Sequence, residues 1–150
     1  MANPLLKKWH HILALTKQQP RSWHHARVKE ELAERRNATT RLQRLSETAD
    51  VLFSLSRARY DGFPIHMSPS MLSPRFVPAY VYMFAKFSSR WGFYRLAAYL
   101  AGAPRYDLVR EVVNPGKRDK LDEVARRHGI EQGRFRGVSR GLLRVWPLLP

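Results

Sequence analysis

The chain contains no cysteine among its 150 residues. That excludes a disulfide framework, a thiolate nucleophile and a cysteine zinc site, and fits a reducing compartment. It also lacks any apolar run near the roughly 18 residues of a membrane-spanning helix, since the best stretch, 76–85, is interrupted by Pro78. Gly-rich phosphate loops and a Gly-x-Ser-x-Gly elbow are both missing, so neither a P-loop nor a serine-hydrolase site is expected. Acids are scarce as well: twelve Asp and Glu stand against 27 Lys and Arg, a net charge of +15. Such an excess attracts polyanions, whether nucleotides, nucleic acid or anionic lipid.

The few acids that exist are not spread evenly. Five of the twelve fall between positions 30 and 50, as Glu30, Glu31, Glu34, Glu47 and Asp50, against four bases in the same stretch. The rest of the chain holds seven acids and 23 bases. Carboxylates gathered against so basic a background call for a physical reason.

With 44% apolar and 11% aromatic residues the chain can bury a core, and its length suits one domain. Apolar spacing of three and four residues runs throughout with no alternating strand, which predicts an all-α helical bundle. A first amphipathic helix is expected over about 4–17, stopped before Pro20, and a second from an N-cap at Ser22 to Arg36. A third should run from Thr39 or Thr40 to Tyr60, ended by Asp61-Gly62. Residues 62–75, with Pro64, Pro69 and Pro74, read as a loop that would serve as a lid or subunit contact. Beyond it, helices are expected over about 78–87, 91–100 and 115–127. Gly133, Gly137 and Gly141 should then break the basic tail into short helical pieces.

The organisation expected is therefore an N-terminal helix (1–20), an acidic helix pair (21–61), a Pro-rich loop (62–75) and accessory helices (76–150). Residues 1–29 carry six bases and no acid, as a mitochondrial targeting segment would, although an ordinary amphipathic helix explains them equally. The compartment expected is the cytoplasm, with the mitochondrion as the alternative.

The acids have internal order. Glu31 and Glu34 form one i,i+3 pair, Glu47 and Asp50 a second, on successive helices. At roughly 100° per residue each pair borders its helix's apolar stripe rather than opposing it. Folded as an antiparallel hairpin, the stripes would bring Glu31, Glu34, Glu47 and Asp50 into one partly buried cluster. Four such carboxylates repel one another and take up protons unless a cation joins them. Magnesium prefers oxygen ligands and keeps positions open for substrate phosphates. A solvated charged face explains Glu-Glu-x-x-Glu alone, but explains less well its pairing with a second motif in an acid-poor chain.

The pattern Glu30-Glu31-Leu32-Ala33-Glu34, a spacer, then Glu47-Thr48-Ala49-Asp50 resembles the hallmark of the all-α nucleoside triphosphate pyrophosphohydrolases, the MazG-like and dimeric dUTPase group. The resemblance covers about 23–61. It implies that Glu31, Glu34, Glu47 and Asp50 bind magnesium, with manganese as an alternative. It also implies that Glu30 acts as an accessory acid beside Glu34 and Glu47 in the chemistry. The implied reaction cleaves a nucleoside triphosphate, or a related pyrophosphate compound, to monophosphate and pyrophosphate. A homodimer or higher homo-oligomer is implied too, for which Tyr80, Tyr82, Met83, Phe84 and Phe87 offer an apolar surface.

Candidate substrate contacts follow from position. Arg57 lies two turns beyond Asp50 on nearly the same helical line, and Asp61 returns to it, though Asp61 also suits the Asp-Gly turn. Trp23 and His24 precede the acids and could meet a base, the competing reading being that Trp23 is core. Asn114, Lys117 and Lys120 form a separate candidate phosphate-binding group. Two rival functions remain: a basic nucleic-acid-binding module, suggested by a helix-turn-helix cadence over 121–144, and a non-catalytic scaffold of the same fold.

Overall fold

A computed structural model describes residues 4–66 and 73–146. The protein is an all-α helical bundle, with six helices and no strand among the described residues. They are α1 (Pro4–Leu13), α2 (Arg21–Asn37), α3 (Arg41–Tyr60), α4 (Val77–Leu100), α5 (Arg118–Arg127) and α6 (Gln132–Val145). Short 3₁₀ turns occupy Pro74–Phe76 and Tyr106–Leu108. None of the described helices is long and apolar enough to cross a membrane. The chain divides into two compact units, Met1–Phe84 and Ala85–Pro150.

In the first unit, α1 ends at Leu13 rather than near Lys17, because Ala14 adopts a left-handed φ of 47° that no α-helix continues through. α2 begins at Arg21, with Pro20 before it, so Ser22 sits inside the first turn instead of capping it. The start of α3 is built locally. The Thr40 hydroxyl accepts from the Gln43 backbone N–H at 3.1 Å and the Gln43 side chain accepts from the Thr40 N–H at 3.2 Å, a reciprocal capping box. At the other end Gly62, at φ 92°, turns the chain away.

The hairpin between them is antiparallel. Arg35 of α2 meets Thr48 of α3 near the connecting turn, and His24 meets Asp61 at the far end. Trp9 of α1 covers one side, packing edge-on to Phe53 and Phe84. Phe84 and the fully buried Met83 are therefore core contacts of this unit rather than an outward apolar surface. Of the predicted 62–75 loop, residues 62–66 and 73–75 are non-α, with a 3₁₀ turn at Pro74–Phe76, and residues 67–72, on which the lid expectation falls, lie outside the described residues.

α4 departs from expectation. The two helices predicted over 78–87 and 91–100 are one continuous helix, because Ser88-Ser89-Arg90 and Gly92 carry only modest helix penalties and no proline lies between Pro78 and Leu100.

In the second unit Phe93, Tyr94 and Ala97 of α4 pack with Leu121 and Val124 of α5 and Phe135 of α6. α5 starts at Arg118, three residues later than expected. The Asn114 side chain accepts from the Gly116 N–H at 2.9 Å and folds 114–116 into a turn. The tail expected in pieces is the intact α6. Gly133, Gly137 and Gly141 all fall on its solvent face, whereas Phe135, Val138 and Leu142 anchor the opposite face to the core. Burial there offsets glycine penalties of about 1 kcal/mol each.

Candidate metal centre

The antiparallel hairpin assembles the acids. One carboxylate oxygen from each of Glu31, Glu34 and Glu47 lies within 4.8 Å of the others. Their burial is graded: Glu31 is 2% exposed, Glu47 half-buried and Glu34 open to solvent. Asp50, one turn beyond Glu47, is half-buried, and its charge acts directly on Glu31.

Glu31 is the electrostatic centre of the group. Its carboxyl is pushed up to about 7 from an ordinary 4.5, first by burial, then against the pull of Arg27 by the charges of Asp50, Glu34 and Glu47. The mutual repulsion expected of a shared carboxylate site is thus present in the geometry. One Glu31 oxygen, Oε1, is paired to an Arg27 guanidinium nitrogen. The other, Oε2, is buried with no hydrogen-bond partner. A buried carboxylate oxygen without a partner incurs a desolvation cost that a cation would remove.

An all-oxygen donor set with one buried and one exposed edge fits a hard divalent cation such as magnesium. Glu31, Glu34 and Glu47 would supply the ligand atoms, with Asp50 completing the charge around them.

Glu30 is turned away from this cluster. Its carboxylate accepts from Arg27 Nη1 at 2.7 Å on the solvent side, so Arg27 bridges Glu30 and Glu31. Arg27 is 44% exposed. Burial of its stem works against its charge, but Glu31 and Glu30 outweigh that and hold it more firmly protonated than usual. The sequence carried a signal for this pair, since Arg27 stands four residues before Glu31 on one helix face.

Other predicted site residues are committed elsewhere in the fold. Arg57 is buried, and its guanidinium donates to both Asp61 oxygens, at 2.9 and 3.1 Å, and to the carbonyls of Leu15 and Thr16 at 3.0 and 3.1 Å. Asp61 also accepts from the Gln18 N–H at 3.3 Å and faces His24 Nε2 at 3.5 Å. Arg57, Asp61 and His24 therefore tie the α1–α2 connection to the end of α3 instead of presenting themselves to a ligand. Sequence spacing gave Arg57 its line along α3 but not the segment that covers that line.

Burial lowers the pKa of His24 against an upward pull from Asp61. Trp23, 40% exposed, stands edge-on to the His24 ring and is not the core residue its type suggests. His10 is a structural histidine. Ser56 donates to the Phe53 carbonyl, so His10 Nε2–H donates to the Ser56 oxygen at 2.8 Å. Burial, then Arg57, pushes its pKa down to about 4.

Asn114, Lys117 and Lys120 belong to the second unit. Asn114 spends its side chain on the turn before α5, Lys120 pairs with Glu123 at 2.8 Å, and Lys117 is exposed. They do not form a convergent anion pocket within that unit.

Reasoning from sequence missed Arg35 and Thr48. Thr48 is buried, donates its hydroxyl to the Arg44 carbonyl at 2.6 Å and accepts from Arg35 Nε at 2.9 Å. Only the hairpin register could show that these residues meet. No family model, no curated protein and no solved structure matches the chain.

Proposed function

We propose that the protein is a magnesium-dependent nucleoside triphosphate pyrophosphohydrolase of the MazG-like type, acting on a nucleoside triphosphate or a related pyrophosphate compound. The observation that carries this reading is the Glu31–Glu34–Glu47 cluster across the α2–α3 hairpin, with a buried Glu31 oxygen lacking a partner. The Glu-Glu-x-x-Glu and Glu-x-x-Asp spacing that resembles the family falls on this geometry.

A bound magnesium would neutralise phosphate oxygens and allow dense negative charge beside the carboxylates. The chain's own part is to position and to move a proton. Attack of a water oxygen on the α-phosphorus forms one P–O bond and breaks the bond to the bridging oxygen, whose electron pair leaves with pyrophosphate. Glu34, the exposed member of the cluster, would take the water's proton, with Glu47 beside it; their clustering supports this role. Asp50 keeps Glu31 in the charged surroundings that favour a cation. Glu30, bound to Arg27 on the outer side, acts on the chemistry through that arginine.

The test is a panel of ribo- and deoxyribonucleoside triphosphates with magnesium, scored for monophosphate and pyrophosphate. Wild type should turn over at least one, and Glu34→Gln or Asp50→Asn should abolish turnover with helical circular dichroism intact. Equal turnover in wild type and both variants would sink the metal site. If no compound is cleaved but magnesium still binds, the scaffold reading stands in its place.

A second reading is favoured by the intactness of α6. Together α5, the Gly129 turn and α6 form a helix-turn-helix with exposed Arg140 and Arg144, so the second unit could bind nucleic acid non-specifically. Salt separates the two activities: nucleic-acid affinity should fall steeply between low and physiological salt, whereas hydrolysis should follow magnesium.

A further inference from the structure

We infer that Arg35 is the phosphate clamp of this site, held by Thr48 so that its two terminal nitrogens meet the polyphosphate of a metal-bound substrate. The inference rests on the pyrophosphohydrolase reading and deepens it, because it names which cation of a very basic chain serves the site.

Register supplies the first reason. Glu34 and Glu47 face each other across the hairpin, and Arg35 and Thr48, one residue further along each helix, form the neighbouring cross-helix contact. Because the helices are antiparallel, these steps of about 1.5 Å run in opposite directions, so the Arg35–Thr48 contact crosses the hairpin at the same level as the Glu34–Glu47 contact.

The anchoring supplies the second reason. Thr48 uses its hydroxyl hydrogen on the Arg44 carbonyl at 2.6 Å, which turns a lone pair toward Arg35 Nε at 2.9 Å. That bond fixes the guanidinium plane through its inner nitrogen. Arg35 has no other hydrogen bond or ion pair among the described residues, so Nη1 and Nη2 are left over as a paired donor edge. Such an edge matches two oxygens of a phosphate, a geometry lysine cannot reproduce.

The contrast with Arg27 supplies the third. Both arginines flank the cluster on α2, but Arg27 spends its terminal nitrogens on Glu30 and Glu31. Arg35 bonds a neutral hydroxyl instead and keeps its terminal nitrogens off the carboxylates. Being half-buried, it has already given up part of its hydration and much of its conformational freedom.

The experiment is calorimetry on the full chain with two probes: magnesium alone, then inorganic tripolyphosphate in saturating magnesium. Wild type should bind both. Arg35→Met should bind magnesium as wild type does and tripolyphosphate about tenfold more weakly. Arg35→Lys, which keeps the charge without the fork, should recover only part of that loss. Thr48→Val, which frees the guanidinium, should weaken tripolyphosphate about threefold, as expected for loss of preorganisation. Thermal melts of each variant report the fold, and Arg35→Lys carries the test if Arg35→Met is unfolded.

Unchanged tripolyphosphate affinity in a folded Arg35 variant that still binds magnesium would overturn the clamp and leave the metal centre standing. A wild type that binds neither probe would overturn the metal centre itself, and the clamp with it.

Discussion

Glu31 in the first unit and the ion-paired carboxylates of the second are treated in opposite ways. In the second, Glu111, Asp122, Glu123 and Glu131 are matched to cations or backbone donors. Asp122 takes a two-pronged contact from Arg136 at 2.8 Å, and Glu111 accepts from Arg127 and faces His128. The Glu131 carboxylate caps α6 by accepting from the Gly133 and Arg134 N–H groups. The pKa shifts resolved there for acids run downward, for Glu123 first through its hydrogen bond from Lys120 and for Glu131 first through the Arg134 N–H.

In the first unit Glu31 goes the other way, up to about 7, because burial and three neighbouring acids outweigh Arg27. A basic chain with cations to spare for one set of acids has gathered another set beside an apolar stripe. The carboxylates of the second unit named above have partners within the fold, whereas Glu31 keeps one buried oxygen without a hydrogen bond.

The contrast between the units yields experiments of decreasing size. The largest effect should come from Glu34→Gln, with a hydrolysis rate down by about a hundredfold or more and little change in thermal midpoint. A normal rate would remove the hairpin's claim to be different from the second unit.

Next comes pH. The Glu31 pKa is raised on folding, so folded protein holds more protons than unfolded between 4.5 and about 7. Its contribution to stability therefore falls as pH rises through that window, by on the order of 3 kcal/mol. His10 works in the reverse sense. Lowered to about 4 from 6.5, it makes stability rise with pH between those values. Urea unfolding in a chelator should show Glu31→Gln more stable than wild type at pH 8, with the advantage shrinking toward pH 4.5. Magnesium at a hundred times its Kd should return about 2.7 kcal/mol to wild type at pH 8 and little to the variant. A pH-independent difference would refute the burial of a strained carboxylate.

Arg27→Met should raise magnesium affinity severalfold by calorimetry, since it removes a cation that competes for Glu31. Weaker binding would mean that Arg27 positions Glu31 more than it neutralises it. The smallest effect belongs to the second unit: Asp122→Ala should cost about 1 kcal/mol in unfolding free energy, discounted for partial exposure, and leave magnesium affinity unchanged.

Much of the hairpin could be read from residue order. Thr39 or Thr40 announced the start of α3, Asp61-Gly62 its end, and the two i,i+3 acid pairs their place beside apolar stripes. Other features were hidden for identifiable reasons. Arg57 and Asp61 looked available because the α1–α2 connection that covers them is more than 40 residues away in sequence. α6 looked fragmented because three glycines carry local penalties, while the burial that outweighs them comes from α4 and α5. Trp23 looked like core because aromatic type is only an average guide to burial.

The sequence by itself determined that the chain is helical, where its main breakers fall, and that acids recur at helical spacing within a strongly basic protein. These follow from the 3.6-residue period and the conformational limits of proline and glycine, which act over a few residues. Tertiary structure alone decided that Glu31 is buried with one oxygen unpartnered, that Arg27 is taken up by carboxylates and Arg35 only by a hydroxyl, and that Arg57 serves the fold. Burial and charge pairing depend on which surfaces meet across the hairpin, and that meeting is set by packing, not by neighbours in the chain.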